Sequence, residues 1–174
     1  MSSRSLLFIQ PTSQSELESA RELLREYEAS LEISLCFQNF EKELEDLPGK
    51  YSPPSGRLLL AYVDNQLAGC IALRKHDSET CEMKRLFLRP SFRGMGLGKA
   101  LVVKIIDEAE SIGYKRMLLD TIPGKMDSAI ALYEAMGFQD ISPYYDNKAT
   151  DSRFMGKDLR FQISDSNALD IEAG

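Results

Sequence analysis

Tryptophan is missing altogether, histidine occurs once, at His76, and cysteine three times, at Cys36, Cys70 and Cys81. One histidine among polar neighbours argues against a His-based catalytic triad. Three cysteines, odd in number and without metal-ligand spacing, argue against both a disulfide framework and a zinc site, and no metal is expected. The longest uninterrupted apolar run, Leu58 to Val63, is far shorter than the roughly 20 residues of a bilayer-spanning helix. Leu6 to Ile9 is likewise too short for the apolar region of a signal peptide, so a cytoplasmic protein with no membrane partner is expected. What remains is ordinary for a folded chain: 174 residues, 43% hydrophobic and 28% charged, the size of one domain. The expected organisation is a single domain over 1–160, followed by a flexible acidic tail over 161–174.

Acidic residues are also missing from one long stretch. Between Met83 and Ile106 there is none, while Lys84, Arg85, Arg89, Arg93, Lys99 and Lys104 lie there, in a chain of net charge −6. Net acidity argues against nucleic acid as a partner. A local basic segment on an acidic protein suits a small anion, although on charge alone a solvated basic face is the better explanation.

The periodicities predict an α+β fold in the order β-α-α-β-β-β-α-β-α-β-β, a mixed, mostly antiparallel sheet of about seven strands flanked by helices. Ser13 and Glu16 form a capping box ahead of a helix carrying Leu17, Ala20, Leu23, Leu24, Tyr27 and Leu31 on one face. A second helix has Phe37, Phe40, Leu44 and Leu47 as its apolar stripe and stops at Pro48 and Gly49. Arg57 to Val63 and Gln66 to Arg74 read as a hairpin about Asp64 and Asn65. Thr80 to Leu88 is a further strand, and a helix runs from Leu97 to the Gly113 stop. Arg116 to Thr121, Phe138 to Ser142 and Arg153 to Leu159 are strands, with a helix over Asp127 to Met136.

The strongest local signal is Arg93-Gly94-Met95-Gly96-Leu97-Gly98-Lys99, between a strand and an amphipathic helix. Its glycines admit a ligand close to the backbone, and the free amides of the helix N-terminus point the same way as the positive end of its dipole. That combination is an anion cradle. The nucleoside-triphosphate loop would need Gly at position 93 and a hydroxyl at 100, where Arg93 and Ala100 stand; the dinucleotide fingerprint would need Gly where Lys99 or Leu101 stands. Neither motif is present.

The pattern that is met, Gln/Arg-x-x-Gly-x-Gly/Ala at Arg93, Gly96 and Gly98, resembles the acetyl-CoA-binding turn of the GNAT N-acetyltransferase family. A second segment, Ala129-Ile130-Ala131-Leu132-Tyr133-Glu134-Ala135-Met136-Gly137-Phe138, is similar to that family's Ala-x-x-x-Tyr-x-x-x-Gly-Phe helix. The resemblance spans roughly Leu6 to Leu159. It implies that the amides from Gly94 to Lys99 hold the pyrophosphate of acetyl-CoA, and that backbone groups of Leu86, Phe87 and Leu88 pair with the pantetheine arm like an added strand. Where many relatives carry Asn seven residues before the Tyr, this chain has Met126.

Tyr133 is then the candidate general acid for the leaving thiolate, and Glu82 the candidate base that takes the amine proton. Each has a plain alternative. Tyr133 follows Ile130 on a buried helix face, and Glu82 stands two residues from Lys84 on one strand face, suited to a salt bridge. Tyr51, Tyr144 and Tyr145, with Asp146, occur in loops flanking the expected cleft and are candidates for binding a cationic amine. Cys81 has the opposite strand parity from Glu82, which argues against a thioester intermediate and for direct attack in a ternary complex. The resemblance implies an acetyl-CoA-dependent N-acetyltransferase acting on a small-molecule or peptide amine. A catalytically silent acyl-CoA sensor on the same fold is the alternative, and a homodimer stays open.

Overall fold

A computed structural model of the protein describes residues 3–32, 39–146 and 151–160. Cys36, Phe37 and the expected tail over 161–174 lie outside these residues. The element order is β1 (Leu6–Ile9), α1 (Gln14–Leu31), α2 (Phe40–Asp46), β2 (Arg57–Val63), β3 (Gln66–Lys75), β4 (Thr80–Leu88), α3 (Leu97–Ile112), β5 (Arg116–Thr121), α4 (Asp127–Ala135), β6 (Gln139–Asp140) and β7 (Arg153–Asp158). Short 3-10 turns over Gly49–Tyr51 and Pro90–Phe92 add to what periodicity predicts. Among the described residues no helix is long and apolar enough to cross a membrane.

Local chemistry sets most element ends. The Ser13 hydroxyl accepts from the Glu16 amide while the Glu16 carboxylate accepts from the Ser13 amide, so the capping box forms as expected. Asp64 and Asn65 adopt φ of 48° and 66°, the paired left-handed conformation of a tight hairpin turn. The strand expected over Phe138 to Ser142 is only the two residues Gln139 and Asp140. Phe138 is instead buried against Tyr133, with ring centroids 5.8 Å apart, at the end of α4.

The seven strands lie in the order β1-β2-β3-β4-β5-β7-β6. All neighbours are antiparallel except β4 and β5. One face packs against α3 and α4 through Met83, Leu101, Val102, Ile105, Met117, Leu119 and Tyr133. The other packs against α1 and α2 through Leu23, Leu24, Phe40, Leu44, Leu58, Leu60 and Phe87. Each fully buried Leu or Ile in these layers contributes on the order of 1.5–3 kcal/mol of transfer free energy. That burial fixes which face each strand residue takes.

Two features of β4 position the site. Its ladder with β5 covers only Thr80, Cys81 and Glu82, opposite Arg116, Met117 and Leu118. From Met83 onward the two strands part, leaving the β5 side of β4 without a strand partner among the described residues. β4 is also bulged: its pairing with β3 shifts register between Cys70 and Ala72, and Arg85 has φ of 61°. A bulge turns two successive side chains to one side. Lys84 and Arg85 therefore both stand on the α1/α2 face, the one carrying an ion pair to β5 and the other an ion pair to α2.

Candidate active site

The splay between β4 and β5 opens a cleft of about 700 Å³. Residues from both faces of the sheet meet in it: Tyr27 and Leu31 from α1, Leu97 and Gly98 from α3, Leu132 and Tyr133 from α4. Met83 to Leu88 form one wall, and Leu119, Asp120, the turn after β5 and the first turn of α4 form the other. Of the expected cofactor residues, Leu86, Phe87, Leu88, Arg93, Gly94, Gly96, Leu97 and Gly98 line the cleft, whereas Met95 and Lys99 do not.

The glycine-rich turn is built as an open helix start. Gly96 is the N-cap of α3 at φ of 77° and makes no side-chain cap, and beyond its own chain neighbours nothing lies within 4 Å of where its Cβ would be. An L side chain at that φ is strained, so glycine holds the turn while leaving the first amides of α3 uncapped by any side chain at their own N-cap. Arg93 anchors the approach by donating from Nε to the Leu88 carbonyl at 3.0 Å, with its guanidinium 5.9 Å from the Phe87 ring centre. Lys125, paired with Glu32 at 3.2 Å, adds a cation to the rim. A loop lysine carries no motif, and the sequence reading missed it.

Tyr133 lies in the cleft wall with 6% of its surface exposed. Among the described residues nothing hydrogen-bonds its hydroxyl. Burial, with smaller contributions from Tyr27 and Asp120, raises its pKa well above the ordinary 10.0, so the phenol stays protonated.

Glu82 is buried at 2% exposure and stands outside the cleft lining, at the last β4–β5 pair before the splay. Arg74, its cross-strand neighbour, donates from Nε to Glu82 Oε1 at 2.8 Å, and the Tyr144 hydroxyl donates to Oε2. The salt-bridge partner is thus Arg74 and not Lys84. Lys84 reaches across the splay to Asp120 Oδ1 at 3.6 Å, and the Tyr145 hydroxyl donates to Asp120 Oδ2. Both tyrosines pack edge-on against Phe154, at 5.2 and 5.1 Å. Burial and then Glu82 push the Tyr144 pKa up.

Tyr51 is fully buried under α2 and lines a second cavity of about 450 Å³, together with Glu43 and Arg74. Its hydroxyl donates to Glu43 Oε1 at 2.9 Å; Arg85 donates to the same carboxylate from Nε at 2.9 Å and from Nη2 at 3.1 Å. Burial alone would lower the Arg85 pKa, but Tyr51 and Glu43 outweigh it and raise the net value. The Arg85–Glu43 pair stands between the two cavities, one partner lining each.

Tyr133, the glycine turn and the parted strands are thus gathered in one cleft. The sequence model of the acetyltransferase (GNAT) family matches residues 17–138. The chain belongs to the GNAT acetyltransferase family. An uncharacterized N-acetyltransferase of Schizosaccharomyces pombe is 40% identical over 76% of this chain and 82% of its own. A crystal structure of an acetyltransferase from Streptococcus agalactiae superposes with a TM-score of 0.74 at 25% identity, covering 88% of this chain and 98% of that one. The PaiA N-acetyltransferase of Thermoplasma acidophilum, solved in complex with coenzyme A, shares the GNAT fold with a TM-score of 0.69 at 21% identity, over 89% and 99% of the two chains.

Proposed function

We propose that the protein transfers the acetyl group of acetyl-CoA to a primary amine by direct attack within a ternary complex. The observation that carries this reading is the position of Tyr133: a neutral, buried phenol without a hydrogen-bond partner among the described residues, in the wall of the cleft that begins at the glycine turn. The residues present fit acetyl-CoA. The uncapped α3 amides with Arg93 suit its pyrophosphate, and the β4 edge from Leu86 to Leu88, unladdered on the β5 side, suits its amide-bearing arm. The Thermoplasma neighbour's complex with coenzyme A supports the same cosubstrate. Acetyl-CoA supplies an activated thioester carbonyl.

The chain's own groups handle the protons. An alkylammonium must lose one proton before its nitrogen can attack. Glu82 is the base of this reading, one step from the splay, with Tyr144 on its outer oxygen. Asp120 is a second carboxylate available for the same task, favoured by its place in the cleft wall. As the C–N bond forms and the C–S bond breaks, Tyr133 gives its proton to the departing sulfur. Of the three ammonium protons one stays in the amide, one ends on the thiol and one leaves to solvent.

Two variants test the reading. Tyr133→Phe is expected to lower turnover by about a hundredfold or more while the acetyl-CoA dissociation constant stays within about twofold. Gly96→Glu, which adds strain and a negative charge at the cradle, is expected to abolish acetyl-CoA binding in calorimetry. Native protein that binds acetyl-CoA but releases no thiol with any amine would instead support the silent sensor.

A further inference from the structure

We propose that the acceptor is an α-amino acid, held by its two charges on the Lys84–Asp120 pair at the inner end of the cleft. The proposal rests on the acetyl-transfer reading above and names the acceptor class for that same site.

The pair is an oddity among the ion pairs of this protein. Lys84 and Asp120 are 6% and 11% exposed, yet their charged atoms stand 3.6 Å apart, beyond hydrogen-bond reach. Among the described residues the Lys84 ammonium donates no hydrogen bond. An ammonium carries three donors, and those of Lys84 open on the cleft and not on a sealed interior: among the described residues only Gln10 Nε2 is a sealed side-chain atom without a partner. Its neighbours Arg74 and Arg85 sit closer to their partners, at 2.8 Å on Glu82 and at 2.9 and 3.1 Å on Glu43. Burial is also the leading influence on Lys84, pulling its pKa below the ordinary 10.5 against the pull of Asp120.

The location matters as much as the pairing. Continuing the β4–β5 register from Glu82↔Leu118 sets Lys84 opposite Asp120, two residues past the last pair, where the strands have begun to part. Both side chains stand on the α1/α2 face, across the sheet from Tyr133, and all three line one cleft. An acyl group entering from the α3 turn would thus have the acid on one side and this pair on the other. Asp120 is fixed from behind by the Tyr145 hydroxyl, and Tyr145 is braced on Phe154 and Tyr144.

A lysine and an aspartate side by side match a zwitterion. The acceptor ammonium can dock on Asp120 and its carboxylate on Lys84, so that four charges alternate and the spare lysine donors are used. An amine without a carboxylate would bring a second positive charge beside Lys84 and leave those donors idle. The built-in cation therefore selects against simple alkylamines as well as for amino acids.

The test uses the full chain with acetyl-CoA and thiol detection, on the twenty L-α-amino acids and their matched α-carboxamides. At least one acid is expected to exceed its carboxamide in kcat/KM by about a hundredfold, because the amide leaves the buried cation unpaired. In Lys84→Met the acid should lose about thirtyfold more than its carboxamide does, so that the preference for the acid collapses, whereas Lys84→Arg should restore most of it. Asp120→Asn should weaken both series alike, since both carry the ammonium. Equal turnover of acids and carboxamides by the native protein, or an equal loss of both in Lys84→Met with acetyl-CoA affinity intact, would overturn the proposal. Calorimetry of the best-bound acid against the coenzyme A-loaded protein separates the two readings. Carboxylate-dependent binding that vanishes in Lys84→Met, without thiol release, would remove the transfer reading and keep the site; turnover restricted to carboxylate-free amines would do the reverse.

Discussion

At the scale of single residues, the α1/α2 face of the site is a set of matched charges, each pair with at least one buried partner. Arg74 meets Glu82, Lys84 meets Asp120, and Arg85 meets Glu43. The last of these is the most enclosed on its cationic side, with Arg85 at 3% exposure, a two-pronged contact to Glu43, and Phe40 at 5.2 Å beneath the guanidinium. Removing one partner of such a pair leaves the other charge stranded. Arg85→Met is therefore expected to cost about 3 kcal/mol of unfolding free energy, and adding Glu43→Gln should recover most of it, because the double variant no longer buries a lone carboxylate. Denaturant unfolding of the wild type, both singles and the double measures the coupling. A double variant no more stable than Arg85→Met alone would mean that the arginine acts by packing on Phe40, not by charge.

At the scale of elements, the decisive event is the parting of β4 from β5, and it depends on how β4 is seated on β3. Gly69 lies opposite Leu88, and a Cβ there would stand 2.3 Å from the Phe87 carbonyl oxygen and 2.7 Å from a Leu88 methyl. Gly69→Ala must push the end of β4 outward. It is expected to destabilise the protein by about 1–3 kcal/mol and to weaken acetyl-CoA binding as well, since Phe87 and Leu88 edge the cleft. Gly98→Ala is the control: its Cβ would meet Leu88 and Leu132 at 3.6 and 3.7 Å, ordinary contact, so its stability should stay near that of the wild type. Elements were legible in the sequence where the signal is local: the Ser13 capping box, the Asp64-Asn65 turn and the Gly113 stop all form as read. The Arg85 bulge was not legible, because strand parity assumes strict alternation and a non-glycine residue at positive φ announces nothing in the chain. For the same reason Glu82 was set against Lys84. Residues i and i+2 of one strand lie about 6.6 Å apart, while cross-strand neighbours approach to about 5 Å, and only the sheet register identifies Arg74 as the nearer cation. Of the site, the glycine turn and Tyr133 could be found by motif, but the Lys84–Asp120 and Arg85–Glu43 pairs join segments far apart in sequence, and Arg74–Glu82 depends on the register of β3 on β4.

At the scale of the whole molecule, the fold keeps buried thiols and a buried phenol protonated on both faces of the sheet, beside its charged pairs, and this sets its response to alkali. Cys70, Cys81 and Tyr27 are buried, and burial is the leading cause that lifts all three to about 12, from 9.0 for the thiols and 10.0 for the phenol. Each group ionises more readily in the unfolded chain than in the folded one. Below pH 9 both states hold these protons, and the associated stability is present in full. Above it the unfolded chain releases protons that the folded protein retains, so stability falls as pH rises toward the folded values near 12. Each fully ionising group contributes a slope of about 1.4 kcal/mol per pH unit in that window. The melting temperature is therefore expected to be level with respect to these groups up to about pH 8.5 and to drop progressively from pH 9 to 11. Cys81→Ala should flatten the drop by one group's share even as it lowers stability at neutral pH, because the cavity cost is independent of pH whereas the ionisation term is not. Calorimetric scans of both proteins at half-unit steps through this range check the difference. Parallel curves for the two would show that the Cys81 thiol ionises as easily inside the fold as outside it, and that the α3 side of the sheet admits water to the base of the splay.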